Sequence, residues 1–166
     1  MQIFLIGFMG VGKTSIGKLL ANKLGLDFYD LDDEIEKKEK LSIPKIFKLY
    51  GEKRFREIES DLLLHWNKPG IISCGGGIVE IKKNRDFLKH KTTIFLQTDF
   101  EIIWGRIKKS DRPLVRNNTK KSVEILHKKR ESYYSESSTM TALFSDLPIY
   151  KNVDLLLEII ESKKND

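Results

Sequence analysis

The sequence contains one cysteine, Cys74, and three histidines, His65, His90 and His127, spread over 166 residues. A lone thiol excludes a disulfide framework or a cysteine metal site within the chain, and it suits a reducing cytosol. The histidines are too dispersed to suggest a metal cluster, so each reads as a surface residue of a helix or loop. No apolar run reaches membrane-spanning length and no signal peptide is recognisable, so a soluble, cytoplasmic protein without a membrane partner is expected. Basic blocks interleaved with aromatic residues are missing too, which argues against nucleic acid as a partner. The 30 basic and 24 acidic residues leave a formal charge of +6. Its lysine surplus is scattered along helical stretches, the pattern of a solvated face that still suits small anionic ligands. Internal repeats and low-complexity tracts are absent.

What is present fits one domain spanning 1–166, because this length is crowded for two and 40% apolar content builds a core of ordinary size. Short apolar runs alternate with longer helical patterns, predicting β-α units on a parallel sheet. The runs predict strands near 2–7, 27–30, 70–74, 92–97 and 139–144. The longer patterns predict helices near 13–25, 31–39, 43–50, 52–66, 80–89, 99–108, 120–136 and 152–163. Two segments break the rhythm. About three helices fill 31–66, where one crossover helix would suffice, and the polar, basic stretch 109–119 has the character of a lid over phosphate.

The chemistry starts at Gly7-Phe8-Met9-Gly10-Val11-Gly12-Lys13-Thr14, which fits G-x-x-x-x-G-K-[ST] between a strand signal and a helical pattern. Glycines let the backbone wrap several N–H donors around phosphate oxygens, and the following helix adds the positive end of its dipole. Lys13 supplies charge to the outer phosphates, and the Thr14 hydroxyl suits Mg²⁺, an ion that keeps most of its waters and takes few protein ligands.

Asp30 and Asp32 lie at the end of the second strand. If the strand continues through them, both carboxylates point to one side, beside the phosphate loop, where they could meet Mg²⁺ or a substrate hydroxyl. Alternatively Asp32 or Asp33 caps a helix starting at Glu34. Arg54 and Arg56, with Glu57 and Glu59 nearby, read either as surface ion pairs or as a clamp for a substrate carboxylate, and composition does not choose. Gly75-Gly76-Gly77 follows a strand and suggests close backbone approach to a ligand or a positive φ, in preference to the alternative of a flexible turn. No aspartate ends that strand, so a metal carboxylate should come from Asp30 or Asp32, with Ser73 at most holding a water. Taken alone, Arg130 reads as a surface helix charge. Arg106, just before the lid, has a flat guanidinium that could stack on adenine.

Together these motifs resemble the shikimate kinase family. The resemblance covers nearly the whole chain and rests on Gly7 to Thr14, Asp30-Leu31-Asp32, Phe55-Arg56-Glu57-Ile58-Glu59, Gly75-Gly76-Gly77, Arg112-Pro113-Leu114 and Arg130 followed by Tyr133 or Tyr134. It implies an α/β, three-layer P-loop fold of the nucleoside-monophosphate-kinase type, with a five-stranded parallel sheet in the order 2-3-1-4-5. It also implies a substrate-binding helical insertion near 31–66 and a lid near 109–119. The implied reaction is ATP-dependent phosphorylation of shikimate to shikimate 3-phosphate in aromatic amino-acid biosynthesis, with ATP and Mg²⁺ required and a monomer expected.

Carried over by position, Gly10, Val11, Gly12, Lys13, Thr14, Ser15, Arg106 and Arg112 would bind ATP, while Thr14 and Asp30 would serve the metal, Asp30 through water. Asp32, Arg56, Gly76 and Arg130 would bind shikimate, the two arginines through its carboxylate and Asp32 through the reacting hydroxyl. Lys13, Asp32 and Arg112 would be the catalytic groups. Many relatives have serine at the Thr14 position, and the region after the fifth strand, where Pro148 would meet adenine, matches poorly. Two rivals are another small-molecule kinase, acting on gluconate or a nucleoside monophosphate, and a nucleotide-binding module without catalysis. The triple glycine and the Asp30/Asp32 pair favour shikimate over the first, and intact Lys13, Thr14, Asp32 and Arg112 oppose the second.

Overall fold

The computed structural model describes residues 1–164. Its centre is β1 (Gln2–Ile6), where Phe4 and Ile6 join the core on one face of the sheet and Ile3 and Leu5 the core on the other. That two-residue alternation of apolar side chains on both faces marks a strand covered by helices on each side. β2 (Phe28–Asp30), β3 (Gly70–Ser73), β4 (Thr93–Thr98) and β5 (Met140–Phe144) complete a parallel sheet in the order β2-β3-β1-β4-β5. Each strand lies within a residue of its predicted position at either end.

The helices are α1 (Lys13–Leu24), α2 (Leu31–Glu39), α3 (Ile43–Leu64), α4 (Lys82–Lys89), α5 (Phe100–Ile107), α6 (Pro113–Arg116), α7 (Lys120–Ser137) and α8 (Ile149–Lys164). α1 and α8 cover one face, burying Ile16, Leu20, Val153, Leu156 and Ile160 against Ile3 and Leu5. On the other face, Leu63, Leu88, Val123 and Tyr134 pack against Phe4 and Ile6. Burying each large apolar side chain contributes about 1.5–3 kcal/mol, against about 0–1 for an exposed ion pair, so the site below is held by this core and not by surface charge.

Some expectations change. The two helices predicted near 43–50 and 52–66 form α3, which breaks at Gly51, where φ is 79° and ψ is 169°. The helix predicted from 80 divides into a 3₁₀ turn (Ile78–Glu80) and α4, because Ile81 between them is extended. α8 starts three residues earlier than 152, its first turn closed by the Lys151 N–H donating to the Pro148 carbonyl at 3.0 Å. The segment 109–119 is not a plain loop: it contains α6, and Val115 is buried in the main core.

Candidate active site

In a parallel sheet the carboxyl ends of the strands lie along one edge, and here β1, β2 and β3 each deliver a functional segment to it. β1 runs into the phosphate loop, β2 ends on Asp30, and β3 ends on Ser73, which pairs in register with both Leu5 and Asp30. The three segments enclose a cleft of about 260 Å³. Lys13, Thr14, Ser15, Asp30, Asp32 and Arg112 line it, together with the backbone of Gly10, Gly12 and Gly76. Met9, Ser73, Cys74 and Gly75 complete the wall. Val11 is buried in the core beneath the loop, so only its backbone is available to a ligand.

Gly12 is the N-cap of α1 with φ 104°, a left-handed conformation that side chains strongly disfavour. It has no capping side chain, so the first N–H groups of α1 point toward the cleft without a side-chain acceptor, an arrangement suited to phosphate. The Lys13 ammonium donates to the Gly7 carbonyl at 2.6 Å and the Phe8 carbonyl at 3.0 Å. Burial pulls its pKa down to about 8, with Asp32 and Asp30 opposing the shift and Arg112 adding to it.

Asp30 and Asp32 converge as expected, but through different geometry. The strand stops at Asp30, whose carboxylate caps α2 by accepting the Asp32 N–H at 3.1 Å. Asp32 is therefore in the first helical turn, and neither it nor Asp33 is the cap. The Thr14 hydroxyl donates to the other Asp30 oxygen at 2.8 Å. Burial first, and the Asp30 charge second, push the Asp32 carboxyl up to about 6. An acid titrating near 6 and an amine near 8 in one cleft are placed for chemistry at neutral pH.

Among the described residues no group of three His, Cys, Asp or Glu side chains could cage a metal ion. Of the hydroxyls and carboxylates lining the cleft, Thr14 and Asp30 stand in direct contact and offer a cation one oxygen donor of each kind. That donor set fits Mg²⁺, which retains waters and completes its shell with substrate phosphates.

Gly75, Gly76 and Gly77 owe their place to space and not to positive φ. A Cβ on Gly76 would lie 3.3 Å from the Met9 nitrogen of the phosphate loop, and one on Gly77 would strike the Arg56 guanidinium. The Tyr134 hydroxyl donates to the Gly76 carbonyl and fixes that peptide. Arg56 itself is mostly buried, bound to Glu59 at 2.7 Å and more loosely to Glu52 at 3.4 Å. Arg54 and Glu57 form the exposed pair, so one arginine of the motif is a surface group and the other is not.

Arg130 is 7% exposed, which overturns its reading as a surface charge. It lies over the Phe8 ring and donates from Nε to Glu80 at 2.8 Å. His127 is also buried, edge-on to Phe8 and against Phe100, whereas His65 and His90 are exposed as expected. Arg106 is exposed, donates to the Gly10 carbonyl at 3.3 Å and pairs with Asp146, outside the cleft lining. Glu59, expected at most as a surface ion-pair partner, is instead buried against Arg56 at i,i+3, and Glu80 carries no signal in the sequence because its partner lies fifty residues away.

A phosphate loop on the central strand of a 2-3-1-4-5 parallel sheet, facing an acid pair across an open cleft, defines a P-loop small-molecule kinase. The fold alone is shared more widely: a deoxyadenosine kinase from M. mycoides superposes with a TM-score of 0.63 at 18% identity, covering 98% of this chain and all of its own length. The family model for shikimate kinase matches residues 9–161. A shikimate kinase from Macrococcus caseolyticus is 41% identical over 139 residues, covering 82% of this chain and 83% of its own. The solved shikimate kinase from Acinetobacter baumannii in complex with shikimate has a TM-score of 0.91 at 34% identity, covering 99% of this chain and 95% of its own. The chain belongs to the shikimate kinase family. Among the described residues no helix is long and apolar enough to cross a membrane.

Proposed function

We propose that this enzyme transfers the γ-phosphoryl group of ATP to shikimate, releasing shikimate 3-phosphate and ADP. The observation that carries the reading is the meeting, in one cleft, of Lys13 and the loop amides with Asp32 and Gly76. Arg56 and Arg130, both mostly buried, neighbour it through Gly77 and Phe8. The solved family member holding shikimate supports the choice of acceptor. Residues 31–66 serve as the substrate-binding insertion and 109–119 as the lid of a single domain. The protein acts as a cytoplasmic monomer on ATP and shikimate, without a nucleic-acid or membrane partner.

Phosphoryl transfer asks little covalent chemistry of the protein; charge spreads over the γ-phosphoryl oxygens and must be held and stabilised. The amides of Gly10, Val11, Gly12, Lys13, Thr14 and Ser15 cradle the phosphates, and Lys13 exchanges its two carbonyl acceptors for their oxygens. Arg112 reaches the same oxygens from the lid, and Arg106 stacks on adenine. Thr14 and Asp30 would hold Mg²⁺, which would offset phosphate charge when bound. Arg56 and Arg130 grip the shikimate carboxylate, and the Gly76 N–H binds a ring hydroxyl. Asp32 orients the attacking hydroxyl and, ionised above about pH 6, accepts a hydrogen bond from it. A lid closed over the phosphates excludes the water that would hydrolyse ATP.

ADP release measured with shikimate, gluconate and nucleoside monophosphates tests the reading. Shikimate alone should stimulate release. Stimulation by another acceptor with none by shikimate would refute it.

A further inference from the structure

Glu80 closes the 3₁₀ turn directly after the three glycines, 50 residues from Arg130 in sequence. Its Oε1 accepts from the Nε of Arg130 at 2.8 Å, and its Oε2 from the Lys129 ammonium at 3.3 Å. Nε is the inner edge of a guanidinium. A contact there fixes the plane of the group without occupying the terminal fork that matches a carboxylate bidentately. Arg130 is 8% exposed at its side chain, so an unpaired charge would be costly in the empty protein, and Glu80 compensates it.

The turn that carries Glu80 is itself secured. Arg85 donates to the Val79 carbonyl at 2.8 Å and the Glu80 carbonyl at 3.3 Å, while its guanidinium stacks on Tyr133 of α7. Asn84 donates to the Ile78 carbonyl at 2.9 Å and accepts from Ser60 of α3. Glu80 therefore stands on a rigid post between the glycine turn and α7, with Gly76 at one side and Arg130 at the other.

We propose that Glu80 is a positioning residue for shikimate: by holding Arg130 at Nε it aims the terminal nitrogens at the substrate carboxylate and ties that arginine to the Gly76 turn. The proposal rests on the reading of Arg130 as a carboxylate ligand. Two effects of Glu80 oppose each other, since its charge also competes with the substrate for Arg130. Geometry wins if its removal weakens binding, and charge wins if removal tightens it.

Glu80→Ala should raise KM for shikimate about tenfold, the scale of losing a hydrogen bond to a charged group, while kcat and KM for ATP stay within about twofold. Shikimate carboxamide, with no carboxylate to align, should show almost no change in KM. Glu80→Gln keeps an oxygen acceptor for Nε and should recover most of the loss. Glu80→Asp keeps the charge but withdraws the oxygen, so it should be impaired and provides the same reading if the alanine variant does not fold. Unchanged or lowered KM for shikimate in both Glu80→Ala and Glu80→Asp would overturn the proposal. So would an equal rise in KM for shikimate, its carboxamide and ATP, the mark of general loosening. A wild-type enzyme that leaves shikimate unphosphorylated would instead defeat the functional reading itself, which the wild-type control reveals before any variant is compared.

Discussion

Asp32→Asn should make the empty protein more stable at pH 7.5 while disabling it. The Asp32 carboxyl is raised from 3.8 to about 6 by burial and by Asp30, so the folded state holds its proton more tightly than the unfolded chain does. A raised carboxyl lowers stability as pH climbs: the penalty is absent below about pH 4, grows between about 4 and 6, and is complete above that window. Two pH units at about 1.36 kcal/mol each set a ceiling of about 3 kcal/mol, and partial solvent access brings the expectation to about 1–3 kcal/mol. For a chain of this size that is a rise in Tm of about 3–10 °C. Differential scanning calorimetry without ligands, from pH 4 to 8, reads it directly. Parent and variant should converge near pH 4 and separate by pH 7. Loss of the positioning carboxylate should cut kcat by about 10²-fold or more, and the acid limb of parental kcat/KM should fall near pH 6. A variant no more stable than its parent at pH 7.5, or a gap that does not close toward pH 4, would refute the assignment of Asp32 as a carboxyl strained by its own site.

Other consequences follow from the same geometry. Lys13→Ala should lower turnover by orders of magnitude while calorimetry still detects shikimate binding; unchanged kcat removes Lys13 from the mechanism. Because the free Lys13 ammonium titrates at about 8, its charge is present below that pH and lost above it, so ATP affinity should fall by somewhat less than about tenfold between pH 7.5 and 9. A flat profile contradicts the assignment. Arg56→Ala or Arg130→Ala should weaken shikimate binding by about 2–5 kcal/mol, as for a buried charge partner, and wild-type affinity in both excludes the clamp. Gly77→Ala, whose methyl group collides with Arg56, should raise KM for shikimate and leave KM for ATP unmoved, as steady-state kinetics will show.

The phosphate loop was legible because its chemistry is local: glycines, lysine and hydroxyl all act within eight residues, between a strand and a helix. The sheet was legible for a related reason, since strands buried on both faces read as continuous apolar runs. Asp30 and Asp32 meet in one cleft as expected, but through a geometry other than the expected strand alternation. Strand alternation and a helix cap both place two such carboxylates together, and only the backbone distinguishes them. Arg56 was undecidable because its burial depends on Gly77, twenty-one residues away, and on Glu59, whose buried position a charged residue does not advertise.

α7 shows a different failure. Val123, His127, Arg130 and Tyr134 are all buried and repeat at steps of four, three and four, the stripe of one helix face. Reading that stripe by apolar letters alone hides the two polar members, and those are the ones that meet Phe8 of the phosphate loop. Polar residues in register with an apolar stripe were therefore a signal within the sequence. Glu80 left none, because nothing local connects it to Arg130.

The most direct measurement is ³¹P NMR of the purified enzyme with ATP, Mg²⁺ and shikimate. One new phosphomonoester resonance should appear in step with ADP, with the transferred phosphorus on shikimate and little inorganic phosphate. ADP accompanied only by inorganic phosphate, or no ADP at all, would contradict the assignment of this cleft to phosphoryl transfer onto shikimate.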